Sequence, residues 1–409
     1  MLYRGYDIRQ TNSNQVSVEN KKIRIAFFAD ILEENFDGVT HTLYHIVRHA
    51  PRDRFDFVFV TPHPPKKETN FPFSVIISPG IKLPLYKEYM FALPFLRKSI
   101  ERKLDRFDPH IIHFTTPSLL GVYALRYGKK KNIPVITTYH SHFPSYIEYY
   151  FRYIPFAYNI IFPLIKKPLW LYPQCDLTLA PSMEMKEFLM ENDVEESKIR
   201  FWKRGVDRNK FHQRFRREEW KKEHGITEEK TVLFVSRLVK EKEVFTLAKV
   251  YRLFQERNLK VRFVVVGQGP AGQKLKEKMP NAVFLGKQTG QNLSEAFASC
   301  DIFMFPSITE TFGNVVLEAL SSGLPVVTAQ AGGPKDIVQD GITGYHVTPK
   351  SVEEFYEKIS FLLRDGEEYK KFRAHAISYA ETQTWANVCE ELYKIYEEYG
   401  SVREAKQLS

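Results

Sequence analysis

The sequence predicts an α/β protein built as two doubly wound, parallel-sheet domains that face each other across a cleft. Three observations carry this. Short β-branched and aromatic runs recur along the whole chain with helical segments between them, the pattern of parallel strands covered on both faces. The 409 residues, 43% hydrophobic and 26% charged, suffice for two cores of ordinary size. A polar, basic stretch from Arg208 to Arg217 interrupts the alternation near the middle and reads as a linker.

Residues 1–20 read as a polar tail without the apolar core or cleavage site of a secretory signal. The first domain, 21–205, opens with a strand from Lys22 to Asp30, a loop ending at Gly38 and a helix to about Ala50. Strands follow at Phe57 to Thr61 and Val75 to Ser78, a helix at Tyr86 to Phe107, then strands at His110 to Phe114, Pro134 to Tyr139 and Asp176 to Ala180. The second domain, 206–381, places strands at Thr231 to Ser236, Val261 to Gly267, Val283 to Gly286, Asp301 to Pro306 and Val326 to Thr328. Ligands of such sheets sit at the carboxyl ends of the strands, so both halves should supply site residues.

Charge and cysteines narrow the function classes. The net charge is +10, and residues 21–205 account for +8 of it, with 27 basic against 19 acidic residues. A basic first half suits an anionic lipid surface or an acidic substrate. Neither a zinc finger nor an RNA-binding aromatic signature accompanies it, so nucleic acid is not an expected partner. Cys175, Cys300 and Cys389 are scattered, which argues against a disulfide framework or zinc site and for a reducing cytoplasm.

The most informative stretch runs from Thr309 to Leu320, where Glu310 and Glu318 flank a turn that opens an apolar helix. A helix N-terminus presents unpaired N–H groups, so the amides of Phe312, Gly313, Asn314 and Val315 form a seat for an anion or for sugar hydroxyls. Gly313 and Glu318 are separated by roughly 8 Å of helix rise, which suits one carboxylate on a hexose and the other on a ribose.

Three other patterns weigh less. Gly267, Gly269 and Gly272 form a G-x-G-x-x-G after a strand, but Phe284-Leu285-Gly286-Lys287 lacks the acid a dinucleotide site wants at the next strand end. His41, His45 and His49 stack along one helix side, a geometry open to metal binding, yet no adjacent carboxylate completes a peptidase pattern. From Phe143 to Tyr172 the chain is dense in aromatics with Lys166 and Lys167 at its edge; its longest uncharged run, which contains Ile154 to Ile165, is too short for the roughly twenty residues of a membrane span. That stretch suits a membrane interface, a lipidic acceptor pocket, or plain core packing.

Several separated segments together resemble the family 4 retaining glycosyltransferases, which have the GT-B fold of two Rossmann-like domains. These are Phe234-Val235-Ser236-Arg237-Leu238 with Glu241-Lys242, the Glu310 to Glu318 box, and Ala331-Gly332-Gly333-Pro334 followed by Asp340-Gly341-Ile342-Thr343-Gly344. The resemblance implies that Arg237 and Lys242 clamp the donor diphosphate, that the Gly38 loop approaches the phosphates, and that His140 lies beside the transferred hexose. It also implies that 382–409 is a terminal helix crossing back onto the first domain. His142 is a second, weaker histidine candidate. The chain departs from the family pattern at Asp37, Glu243 and Asp336, and at Arg204, where many members have asparagine. Lys203 to Asp207 and Tyr139 to Tyr146 resemble the glycolipid-forming branch, which includes diacylglycerol glucosyltransferases, sulfoquinovosyldiacylglycerol synthases and lipid mannosyltransferases.

The expected activity is retaining transfer of a hexose from a nucleotide-sugar, UDP-glucose first, to a hydroxyl of diacylglycerol or a glycolipid. No cofactor and no metal are expected, because the basic clamp serves the leaving group. The expected place is the cytoplasm, peripherally on the inner face of the membrane. The alternatives are a GDP-mannose-dependent mannosyltransferase, a nucleotide-sugar epimerase, and a non-catalytic nucleotide-sugar-binding protein.

Overall fold

The computed structural model describes residues 22–408 apart from 35, 67, 83–89, 97, 141–166, 228–229 and 365. The tail 1–20, His142 and most of the aromatic stretch from Phe143 lie outside the described residues.

Among the described residues nine strands precede the linker: β1 (Ile23–Phe28), β2 (Phe55–Thr61), β3 (Ser74–Ile77), β4 (Gly80–Lys82), β5 (Met90–Ala92), β6 (Ile111–Phe114), β7 (Val135–Thr138), β8 (Leu177–Ala180) and β9 (Ile199–Phe201). Seven of them form one sheet in the order β3-β2-β1-β6-β7-β8-β9, and β4 pairs with β5 separately. The strand alternation sorts side chains between two layers. Ile25 and Phe27 face the helices Gly38–His49 and Trp385–Leu408, whereas Ala26 and Phe28 face Ser99–Phe107 and Leu119–Lys131.

After the linker come β10 (Thr231–Val235), β11 (Arg262–Val266), β12 (Val283–Gly286), β13 (Ile302–Phe305), β14 (Val326–Ala329) and β15 (Gly344–Val347). They form a second sheet in the order β12-β11-β10-β13-β14-β15, with every pairing parallel. Parallel strands need crossover helices, which is why each run alternates with one.

The structure departs from the sequence expectation over Tyr86 to Phe107. Among the described residues of that span only Ser99–Phe107 is α-helical; Met90–Ala92 is a strand and Pro94–Leu96 a 3-10 turn. A prolyl ring removes an N–H and clashes with the preceding turn, so no helix continues through Pro94. The glycines of the Gly267 motif serve close packing: a Cβ at Gly267 would lie 1.8 Å from the Ser236 carbonyl oxygen.

The helix Trp385–Leu408 packs on the first sheet through Trp385, Leu392, Tyr393 and Tyr396. Tyr393 donates to the Ile46 carbonyl at 2.6 Å, and Tyr396 meets His113 Nδ1 at 2.6 Å. The chain thus crosses between the two sheets twice, and the crossings touch where Val206 N–H bonds the Gln383 carbonyl at 2.9 Å.

Candidate functional site

Glu310 lies in the loop after β13, and Lys242 ends the 3-10 turn Lys240–Lys242 after β10. Both strands are central and parallel, so their carboxyl ends open on the same side. Lys242 Nζ and Glu310 Oε1 are 2.7 Å apart, with the lysine side chain buried. Arg237 is more open and pairs with Glu241 at 2.9 Å. Glu243 follows with a positive φ of 51°, which explains why glycine suits this turn; its carboxylate accepts from Thr246 Oγ1 at 2.9 Å.

The loop carrying Glu310 is held from behind. Gly333 N–H donates to the Glu310 carbonyl at 2.7 Å, and a Cβ at Gly333 would come within 2.3 Å of Phe312 Cα. Only paired glycines let the helix Gly332–Ile337 press this close. Phe312 is buried, Gly313 caps the helix Asn314–Ser321 at φ 96°, and Asn314 and Val315 are half-buried in its first turn. Glu318 is half-buried on the same helix. Loss of solvation pushes its carboxyl up to about 7, with the Lys210 charge pulling the other way.

From the first domain, Gly38 begins its helix behind a capping box: Asp37 accepts from Thr40 N–H at 2.8 Å, and Thr40 Oγ1 accepts from Asp37 N–H at 2.9 Å. Asp37 therefore has a local task that a glycine could not perform. A Cβ at Gly38 would meet nothing within 4 Å, so packing inside the protein does not require a glycine there.

His140 follows β7, and its carbonyl accepts from Thr311 Oγ1 at 3.4 Å, a contact between the two halves. Its Nδ1 lies 2.6 Å from Arg204 Nη2, and Arg204 Nη1 donates to Thr42 Oγ1 at 2.6 Å. Burial, then the Arg204 charge, then His113 hold the His140 imidazole well below the ordinary histidine range, so the ring is neutral at pH 7. Burial also lowers Arg204 to about 10.

The structure thus joins Lys242 to Glu310 directly, and brings His140 to Thr311 at the edge of the same loop. Arg237 stands apart on the surface-exposed side of the turn. Sequence reasoning noted Arg204 only as a departure and passed over Lys210, Thr42 and Glu184. Glu184 accepts from Gly332 N–H at 2.6 Å, and the Met183 N–H donates to Asp336, so two helix starts exchange carboxylates between the halves. The signal for Arg204 was the basic pair Lys203-Arg204 set between Trp202 and Gly205, of which only the arginine is buried.

In the histidine row of the first helix, His45 packs instead of opening to a ligand, while His41 is half-buried and His49 exposed. His45 stacks on Trp385 with centroids 4.3 Å apart and planes within 4°. Among the described residues no group of three or more His, Cys, Asp or Glu side chains could hold a metal ion, and no helix is long and apolar enough to cross a membrane.

The chain matches two family models, described as Glycosyltransferase Family 4 over residues 36–210 and Glycosyl transferases group 1 over residues 216–379. It is 34% identical to Sulfoquinovosyl transferase SQD2 of Arabidopsis thaliana, over 85% of this chain and 68% of the relative. A GDP-mannose-dependent alpha-mannosyltransferase of Corynebacterium glutamicum is 28% identical over 92% of this chain and 89% of its own. An alpha-monoglucosyldiacylglycerol synthase of Streptococcus pneumoniae is 26% identical over 79% and 74%. Among solved structures, a glycosyltransferase from Rickettsia africae superimposes with a TM-score of 0.71 at 17% identity, covering 92% of this chain and 98% of that one. Anabaena HepE in complex with UDP and glucose gives 0.66 at 17%, covering 91% and 99%.

Proposed function

Because the chain belongs to glycosyltransferase family 4 and has its GT-B fold, we propose that it is a retaining hexosyltransferase acting from UDP-glucose on a hydroxyl of diacylglycerol or a glycolipid. Use of a nucleotide-sugar follows from the family; the hexose, the base, the acceptor and the retention of configuration are the proposal. The observation that carries it is the Lys242–Glu310 pair at the mouth of the helix Asn314–Ser321, with His140 of the other domain against the same loop.

In this reading the loop amides from Phe312 to Val315, Glu310 and His140 hold the hexose, and Glu318 holds the ribose. Lys242, Arg237 and the Gly38 turn hold the diphosphate. As the bond between anomeric carbon and phosphate oxygen breaks, negative charge grows on the leaving diphosphate, and a buried ammonium stabilises it more than water would. The acceptor hydroxyl attacks from the face the phosphate leaves, and the departing oxygen takes its proton. The open space at Gly38 supports close approach of phosphate to backbone. Relatives named for sulfoquinovosyl transfer and for monoglucosyldiacylglycerol synthesis support a lipid acceptor, as does the basic first half for work at an anionic membrane surface.

A second reading, a GDP-mannose-dependent mannosyltransferase, is favoured by the near full-length match to relatives of that name. Thermal-shift measurements with UDP- and GDP-sugars separate the two, since a ligand at 100 times its Kd stabilises by about 2.7 kcal/mol. Stabilisation by GDP-mannose alone would replace the donor. Glu310→Ala is expected to lower turnover at least about a hundredfold, the scale of a lost transition-state contact, while free nucleoside diphosphate still binds. Equal loss of both would contradict the sugar assignment, and anomeric NMR of the product tests retention.

A further inference from the structure

We infer that Arg204 is a positioning residue that locks His140 as the neutral Nε2–H tautomer, and so fixes it as a hydrogen-bond donor toward the transferred sugar and not as a proton carrier. The inference rests on the reading above for what His140 touches, but the tautomer itself follows from geometry.

A guanidinium has donors only. At 2.6 Å from Arg204 Nη2, His140 Nδ1 must present its lone pair. A neutral ring then carries its proton on Nε2. A doubly protonated ring would set N–H against N–H at the same distance and add a second cation to a buried one, so the contact excludes the imidazolium. Among the described residues Nε2 has no hydrogen-bond partner, which leaves that N–H for a ligand.

The arginine is itself held firmly. Two residues before it stands Trp202, whose Nε1–H donates to the Val388 carbonyl at 2.9 Å and whose ring lies 5.8 Å from the guanidinium. Gly205 comes next, packed so closely on Trp385 that a Cβ would fall 2.6 Å from its Cα. The second arm of Arg204 reaches Thr42 Oγ1, and that hydroxyl donates onward to the Gly38 carbonyl at 2.9 Å. One guanidinium thus ties the Gly38 turn and the His140 ring into a single bonded chain. No carboxylate bonds Arg204 among the described residues, although the Asp37 charge acts on it from a distance.

The remaining titratable and charged neighbours work in the same direction or are neutralised. His113, bonded to Tyr396 and Thr138, disfavours a proton on His140. From the second domain Thr311 meets the His140 carbonyl, and the adjoining Glu310 is paired with Lys242.

The test begins with the intact protein and no ligand. Long-range 1H–15N correlation of the imidazoles, with His140→Gln to assign the signal, is expected to show an unprotonated Nδ1 and a protonated Nε2 for His140 at every pH from 8 down to 5.5. An imidazolium at pH 6, or an Nδ1–H tautomer, overturns the inference whether or not the chain transfers sugar. In parallel, Arg204→Met is expected to lower kcat at saturating donor by about tenfold, the scale of one mispositioned hydrogen bond, and to bring in an acid limb at higher pH than any in the wild type, because one of the three causes that disfavour a proton on His140 is gone. Arg204→Lys, which keeps a donor, should restore the flat profile in part. A kcat lowered by one factor at all pH values would mean a merely structural arginine. If Arg204→Met does not fold, the wild-type tautomer still decides; absence of turnover with every donor would sink the proposed function and leave the tautomer result standing.

Discussion

At the scale of single residues, Glu318 makes the sharpest statement about ligand binding. A ribose donates its hydroxyl protons, and an ionised carboxylate accepts them more strongly than a neutral carboxyl, one of whose oxygens carries a proton of its own. The folded value of Glu318, about 7, stands above the ordinary 4.5. The sign for folding is therefore unfavourable to ionisation: the stability this group contributes is present below 4.5 and is lost as pH rises through about 7. Ligand binding runs the other way, because it rewards the deprotonated form. Donor affinity is expected to strengthen from pH 6 to pH 8, approaching about tenfold per unit below the folded value. Glu318→Gln, which keeps an acceptor but cannot titrate, should give a flat profile under calorimetry. A wild-type affinity independent of pH would remove Glu318 from the ribose. The place of Glu318 in the fold was legible in the sequence because it sits on one short contiguous unit of strand, loop and helix. Arg204 was not, because its partners lie 162 and 64 residues away, and only the fold brings them together.

At the scale of elements, the strands were legible wherever both faces are buried, as in Val232 to Val235 or Phe303 to Phe305, where continuous apolar runs leave no other reading. β15 escaped because Gly341 and Gly344 make its start resemble a turn, and the Tyr86 to Phe107 helix was drawn through Pro94, where the chain forms a 3-10 turn before the helix at Ser99. The histidine row shows how packing overrides chemistry. His45 is buried with both ring nitrogens unpaired among the described residues, and burial, followed by the charges of His41 and His49, depresses it to about 2. The unfolded chain, with an ordinary histidine value near 6.5, binds the proton first, so stability falls as pH drops below 6.5 and continues to fall toward 2. His45→Phe keeps the ring against Trp385 and removes two unsatisfied nitrogens. It is expected to stabilise by about 1 kcal/mol at pH 7, and by about 1.4 kcal/mol more for each unit of acidification below 6.5. Chemical denaturation at pH 7 and pH 5 checks this; equal differences at the two pH values would show that His45 does not titrate on unfolding.

At the scale of the whole molecule, two kinds of connection hold the halves together. One is covalent: the paired crossings at Val206 and Gln383, close-packed through Gly205 and Trp385, leave little room for sliding but allow rotation about one line. The other is a set of polar contacts between the halves, where Glu184 accepts from Gly332 N–H, Asp336 accepts from Met183 N–H, and Thr311 meets the His140 carbonyl. The first two join carboxylates to helix starts, which favours both partners. Glu184 and Met183 are exposed, so each contact contributes about 1 kcal/mol and not the larger value of a buried charge-assisted bond. The halves are thus joined firmly at the crossings and weakly at these contacts, and the weak side includes the Glu310 loop, because Gly332 and Gly333 press against it. Removing both carboxylates, as Glu184→Ala with Asp336→Ala, takes away about 2 kcal/mol, enough to shift an open-to-closed ratio by about thirtyfold. Small-angle scattering of the double variant should then show a larger radius of gyration than the wild type, and a saturating donor should shrink it back by spanning both domains. An unchanged radius would mean that the crossings alone set the angle between the halves, and that ligands meet a cleft already fixed.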